Sequence, residues 1–213
     1  MVPGPLVLGS NDAYTTVTGG SGPSTIWGSS GQNLVTGGTG SILFIGNSAG
    51  GVTTINASSG PVTVFGGAGD DINYNNAGSV GSALMVAYGN ETLNAGGSNV
   101  AVTLSAALGN VSLVGGAASD QLMAGAGNDT IKTGAGNDSI FFYKGNAGGT
   151  DIITDFTSGS DVVILAGYGT GADTTALGTL RPTGGSSTIT LSDNTTITFT
   201  SVTSLTSANF KII

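Results

Sequence analysis

An all-β fold, a parallel β-roll or β-solenoid of nine-residue half-coils with a C-terminal β-hairpin cap, is predicted by three observations. Glycine supplies 39 of 213 residues and proline only 5, with no Gly-X-Y period, so the glycines punctuate turns and do not build collagen. Apolar residues recur at nine-residue intervals, at Val17, Ile26, Val35 and Phe44, and again at Leu104, Leu113, Leu122, Ile131 and Ile140. No stretch sustains a helical period of about 3.6 residues.

Each unit opens on small residues and closes on a short β-branched run, which reads as one tight turn followed by one strand. Glycine takes φ > 0 in the turn without steric cost. It recurs at Gly19, Gly28, Gly37 and Gly46, and later at Gly116, Gly125 and Gly134. Two units make one flattened coil with the large apolar residues inward, and coils stack about 4.7 Å apart. At about 18 residues per coil, the span from Thr15 to Thr150 has room for about seven.

In chain order, residues 1–14 are a lead-in and 15–114 a degenerate solenoid. Within it, 75–101 keeps Gly, Asn and alternating apolar residues but loses the strict spacing, as expected of coils with insertions. Residues 115–150 carry the most regular units, and 151–213 form the cap of one continuous domain. In the cap, Ile189 and Leu191 are answered by Ile197 and Phe199 around Ser192–Thr195, a hairpin signal. Ser204–Phe210 is expected to form a short helix or turn over the last apolar layer.

Composition excludes much chemistry. With no Cys and no His, thiolate or imidazole zinc sites, disulfides and His-dependent triads are impossible. A net charge of −8 with four cations, Lys132, Lys144, Arg181 and Lys211, leaves no basic stripe for nucleic acid. No apolar run reaches the roughly 18 residues that membrane insertion needs. Met1–Pro5 lacks the basic and apolar regions of a cleaved secretory leader. Adjacent Asp70 and Asp71 would point to opposite faces of a strand, which argues against a general acid–base pair, and the chain is expected not to be an enzyme.

The acids are concentrated. Asp70, Asp71, Asp120, Asp129, Asp138, Asp151, Asp155 and Asp161, with Glu91, fall in one interval where cations are too few to pair with them. Asp120, Asp129 and Asp138 keep the nine-residue step. Stacked turns would bring such carboxylates together with glycine carbonyls along each edge of the solenoid. An all-oxygen donor set of flexible geometry suits Ca2+ over Mg2+.

The units GGAASDQLM (115–123), AGAGNDTIK (124–132) and TGAGNDSIF (133–141) resemble the RTX, or repeats-in-toxin, nonapeptide GGxGxDxUx, with a partial fourth in GGAGDDINY (66–74). The segment from Asp151 to Leu165 is similar to the one that follows the β-roll in RTX exoproteins such as the serralysin-type proteases, and the C-terminus resembles those of type I secretion substrates. The resemblance implies calcium between turns of one edge two units apart, held by sixth-position aspartates and turn carbonyls. Carried over, Asp120 pairs with Asp138, and Asp129 with the turn from Gly145 to Asp151. The implied ligand set is Asp71, Gly116, Asp120, Gly125, Gly127, Asp129, Gly134, Gly136, Asp138, Asp151, Asp155 and Asp161, for about three or four Ca2+ against the charge of −8. Asp155 and Asp161 admit two readings, ligand or capping hydrogen bond.

There are departures from the repeat. Ala118, Ala124 and Thr133 replace glycines, and the unit at 66–74 is one residue short, with Ile72 early. In the N-terminal frames the sixth position is Ser24, Asn33 or Ile42, so those coils are expected to stack without calcium. Asp12, Asp173, Asp193 and Glu91 are expected to be solvated. Trp27, Phe44, Phe65, Phe141 and Phe142 are expected in the core or in stacks, with Trp27 able to face outward.

The resemblance implies a chain that stays unfolded at low calcium, leaves through a type I secretion apparatus by its C-terminus, and folds outside, as a secreted or cell-surface protein. One expected role is a self-associating surface-layer, filament or matrix component, with the Thr-, Ser- and Val-rich N-terminal coil adding strands from a neighbour. The alternatives are a secretion and calcium-folding module of an RTX enzyme or toxin, and a surface-ligand or ice-binding solenoid.

Overall fold

The computed structural model describes residues 14–213; of the lead-in expected over residues 1–14, Tyr14 opens the first strand, and the rest, with Asp12, lies outside the described residues. The solenoid begins with β1 (Tyr14–Thr18), β2 (Ser24–Trp27), β3 (Gln32–Thr36), β4 (Ile42–Ile45), β5 (Val52–Asn56) and β6 (Val62–Phe65). It continues through β7 (Asp71–Asn76), β8 (Ala83–Ala87), β9 (Thr92–Ser98), β10 (Val102–Ala106), β11 (Ser112–Val114) and β12 (Gln121–Met123). The last coils use β13 (Thr130–Lys132), β14 (Ser139–Tyr143), β15 (Thr150–Ile153) and β16 (Val162–Ala166). Odd strands stack into one parallel sheet and even strands into a second, so each odd–even pair is one coil of about eight. Among the described residues no helix is long and apolar enough to cross a membrane.

Alternation within each short strand turns one set of side chains inward. All nine residues picked out by the nine-residue step, from Val17 to Ile140, are buried in one continuous core. Trp27 lies outside it, 39% exposed. Paired residues are 18 apart in the regular coils, as in Tyr14–Gln32 and Gln121–Ser139. Elsewhere the separation grows to 20 at Gln32–Val52, 21 at Asp71–Thr92, 22 at Thr130–Ile152 and 23 at Ser139–Val162. The turns absorb these insertions and the strands stay aligned, except at a bulge between Asn73 and Asn75, inside the irregular 75–101 region and its approach.

The cap starts later than the boundary at Asp151 suggests. Residues 150–166 form an eighth coil, because Ile153, Val163 and Leu165 keep the inward alternation and are fully buried. The cap proper contains α1 (Ala172–Gly178), β17 (Arg181–Thr183), β18 (Ser186–Thr190), β19 (Thr196–Phe199) and β20 (Phe210–Ile212). The expected hairpin is β18–β19, with Ile189 opposite Ile197, and β19 runs parallel to β15, so the hairpin completes the first sheet. Ser207–Asn209 is a 3-10 turn capped through Asn209 Oδ1, which accepts the Thr206 N–H at 2.9 Å. It leads into β20, which pairs with β16 and closes the second sheet. The seven-residue helix α1 has no counterpart in the sequence reading; with only Ala176 buried, it is too short to show a period.

Candidate metal centre

Two rows of side chains run along the two edges, where the chain passes between sheets. On one edge the register aligns Val102, Asp120, Asp138 and Asp161, one residue ahead of the paired strand positions. On the other it aligns Asp70, Glu91, Val111, Asp129 and Asp151. Each acid precedes an inward residue by two: Asp120 precedes Leu122, Asp129 precedes Ile131, Asp138 precedes Ile140, and Asp151 precedes Ile153. A period of two therefore turns the carboxyl inward too. Asp129 and Asp138 are 1% exposed and Asp151 is fully buried.

The rows are built as ladders. One carboxylate oxygen accepts the backbone N–H of the previous row member: Val102 to Asp120 Oδ1 (2.9 Å), Asp120 to Asp138 Oδ1 (2.7 Å) and Asp138 to Asp161 Oδ1 (3.2 Å). The other edge repeats this with Val111 to Asp129 Oδ1 (2.9 Å) and Asp129 to Asp151 Oδ1 (2.8 Å). The second oxygen closes the residue's own turn, accepting Gly116 N–H at Asp120 (2.6 Å), Gly125 N–H at Asp129 (3.0 Å) and Thr157 N–H at Asp161 (2.8 Å).

Asp138 and Asp151 break the pattern, since Oδ2 of each is buried with no hydrogen-bond partner. Gly134 N–H, which stands where Gly116 N–H does for Asp120, donates instead to Asp155 Oδ2 (3.1 Å). The turn before Asp151 is longer and closes on the Tyr143 carbonyl through Asn146 and Ala147 N–H. Burial, reinforced by repulsion from Asp161, Asp120 and Asp155, pushes the Asp138 carboxyl up to about 6. Burial, with Asp129 beside it, pushes Asp151 up to about 7. Burial also raises Asp120 and Asp129, against the hydrogen bonds that lower them.

Buried carboxylate oxygens without a donor, repelled by their neighbours, fit a hard oxygen-binding cation. Asp120 with Asp138 on one edge, and Asp129 with Asp151 on the other, are the residues that would hold Ca2+. Among the described residues no three acids converge on a point, so turn carbonyls would complete each set. Gly127, Gly134 and Gly136 have positive φ, and a Cβ at any of them would strike a carbonyl of the preceding coil. The turns are thus packed carbonyl against backbone.

The structure moves several expected residues. Asp71 opens β7 exposed, and it is Asp70, 2% exposed, that joins the row and accepts Gly67 N–H (2.8 Å). The one-residue deletion that brings Ile72 early shifts the inward carboxylate with it. Glu91 is not solvated: it is 4% exposed, stands two before Leu93, accepts Tyr88 N–H (2.8 Å), and is pushed up to about 7 by burial and then by Asp70. The spacing to the next inward aliphatic residue is the signal that finds both. Asp193 is half-buried and accepts a hydrogen bond from Tyr168 Oη (2.6 Å); burial raises its carboxyl, but that bond and those from Thr195 and Gly145 outweigh it and hold it below the usual range. Asp173 sits partly exposed in the first turn of α1. Asp155 and Asp161 cap: Asp155 accepts Thr133 N–H (2.7 Å) and Gly134 N–H, while Asp161 accepts Asp138 and Thr157 N–H.

The first three coils, from Tyr14 to Phe65, contain no Asp or Glu to hold an ion. Ile42, Val62 and Ala83 stand earlier in the row that continues through Val102, Asp120, Asp138 and Asp161, so the same position is apolar there and acidic later. Asn33, spaced from Val35 as Asp129 is from Ile131, satisfies itself. Its Oδ1 accepts Ser29 N–H (3.0 Å) and Oγ–H (2.8 Å), and its Nδ2 donates to Ser29 O (3.2 Å) and Thr53 Oγ1 (3.2 Å). Asn33→Asp is expected to destabilise the calcium-loaded fold by about 1–3 kcal/mol, because it buries a charge and turns a donor toward Ser29 O into an acceptor. Thermal melts at saturating calcium check this, and an unchanged melting temperature would contradict it.

The family described as the RTX calcium-binding nonapeptide repeat (4 copies) matches residues 15–41, 49–79 and 103–146, nearly half of the chain. No curated protein matches. Among solved structures, that of the extracellular lipase LipA from Serratia marcescens is similar at 16% identity and a TM-score of 0.49, over 90% of this chain and 40% of the lipase chain. This chain thus spans less than half of that protein's length.

Proposed function

As a chain of RTX calcium-binding nonapeptide repeats, this protein is, we propose, a non-enzymatic extracellular solenoid that calcium folds after export and that then associates with itself. The observation that carries the calcium reading is the pair of buried, unpartnered oxygens at Asp138 and Asp151. Without a cation, each row sets carboxylates on neighbouring strands about 4.8 Å apart, and a glycine-rich backbone has much entropy to lose. A cation that binds only the folded coils converts its affinity into folding free energy. The low calcium of a cytosol would then leave the chain unfolded and competent for a type I exporter, and external calcium would fold it.

About three or four ions would offset most of the charge of −8. The absence of Cys and His, with the acids committed to turn ladders, supports a structural over a catalytic role. Far-UV circular dichroism with calcium and then chelator tests the reading. A β spectrum that appears with Ca2+ and collapses on chelation is the expected result, with isothermal titration counting the ions. A β spectrum indifferent to chelator would end the proposal.

A further inference from the structure

The two outer faces of the solenoid differ in chemistry. On the first sheet, Thr and Asn dominate, and the asparagines form ladders: Asn75 Nδ2 donates to Asn56 Oδ1 and Asn94 Nδ2 to Asn73 Oδ1, both at 3.0 Å. On the second sheet, the parallel register aligns Trp27, Ile45, Phe65, Val86, Met123 and Phe141 in one outward row. Ser105 is the polar interruption in it. Tyr88 beside Phe65 (ring centroids 6.3 Å) and Tyr143 stacked on Phe141 (6.0 Å) raise two aromatic ridges. Between them lies a groove of about 620 Å3, with Ser105, Leu108 and Met123 in its lining.

None of the nine strands of this sheet carries an acid, and Lys211 in β20 is its one charge. In a protein of net charge −8, every acid in the described residues lies on an edge, on the first sheet or in the cap. Soluble single chains rarely leave a contiguous apolar stripe of this length open.

We propose that a second copy of this chain covers the face, the two even-strand sheets packing face to face about 10 Å apart as in a β-sandwich. Charge supports that occupant: the two faces, whose one charge is Lys211 at the cap end of the row, meet while the acidic edges stay lateral, and a charged partner would find only that lysine to pair with. Size supports it too. Eight strands of about four residues give about 500 Å2 from each copy, about 1,000 Å2 together, which reaches the threshold of a specific interface. Ridges and groove offer relief for interdigitation that a fluid lipid surface does not use. The inference deepens the proposed self-association by naming its face, and rests on the calcium reading in that the ion keeps the coils stacked.

Sedimentation velocity in saturating calcium, with far-UV circular dichroism on the same samples, tests the proposal. The expected result is a dimer, weakened at least tenfold by Phe65→Lys or Phe141→Lys with the β spectrum unchanged, and unaffected by Thr54→Lys on the opposite face. Met123→Lys, in the lining of the groove, is the second variant should either aromatic replacement lose its spectrum. A wild-type monomer with a full β spectrum overturns the proposal, as does a dimer that survives the even-sheet substitutions. Monomers that float with neutral phosphatidylcholine vesicles overturn it in favour of a lipid occupant. A spectrum insensitive to chelator would instead count against the calcium reading and leave the mass to decide the dimer.

Discussion

Gly127→Ala is expected to destabilise the calcium-loaded fold by about 2–5 kcal/mol, while Gly148→Ala, in the next turn of the same edge, leaves it almost unchanged. Gly127 sits at φ +127°, and a Cβ there would strike the Gly109 carbonyl and come within 3.1 Å of Asn110 Oδ1. Gly109 cannot retreat far, because Ala107 N–H donates to Ala87 O and Asn110 N–H to Asn90 Oδ1 (2.8 Å), which ties that turn to the coil before it. Positive φ costs a side-chain-bearing residue about 1–2 kcal/mol, and an overpacked backbone about 1–3 kcal/mol more. Together these come to about 2–5 kcal/mol, at most the lower end of a domain's net stability. A Cβ at Gly148 meets nothing within 4 Å, so its cost is within about 1 kcal/mol. Thermal melts of both variants at equal calcium check the contrast, and equal melting temperatures would refute the packing account.

Removing calcium is expected to invert the ordinary effect of acid. In chelator, Asp138, Asp151 and Glu91 have folded-state values of about 6, about 7 and about 7, all raised above those of the unfolded chain. A carboxyl whose folded value is raised stabilises the fold fully below its unfolded value and loses that contribution as pH climbs through the folded one. The calcium-free fold is therefore most stable near pH 4 and weakens as pH rises to about 7.5. Calcium reverses the trend, since its ligands must be deprotonated, so its stabilising effect grows over the same window. Asp151→Asn separates the two effects. It removes a buried unpaired charge and is expected to stabilise the calcium-free state at pH 8 by about 2–4 kcal/mol, while reducing the gain on adding calcium. Far-UV circular dichroism of wild type and variant in chelator, followed from pH 4 to pH 8, with calcium titrations at pH 8, measures both effects. A variant less stable than wild type in chelator would show that Asp151 Oδ2 is satisfied after all.

Much of this was legible in the residues. The nine-residue phase of Val17 to Phe44 and Leu104 to Ile140 identified the inward positions, because a strand of period two between tight turns leaves one large residue per unit no other place. The resemblance to the RTX repeat implied Asp120 with Asp138 and Asp129 with the turn from Gly145 to Asp151, and in the structure the Asp120 N–H donates to Asp138 and the Asp129 N–H to Asp151. Glu91 and Asp70 were harder to see because insertions and a deletion displace their turns; only the two-residue spacing to Leu93 and Ile72 survives. Helix α1 left no trace, since seven residues with one buried side chain carry no period.

The sequence by itself determined the coil, its core and the acidic block, all of which depend on contacts inside one repeat. Tertiary structure alone decided which oxygens lack a donor, where the cap begins, and that Trp27, Ile45, Phe65, Val86, Met123 and Phe141 form one uncharged face. Each of these depends on register between coils. Partners lie from 18 to 23 residues apart according to how each turn absorbs its insertion, and no local pattern encodes that length.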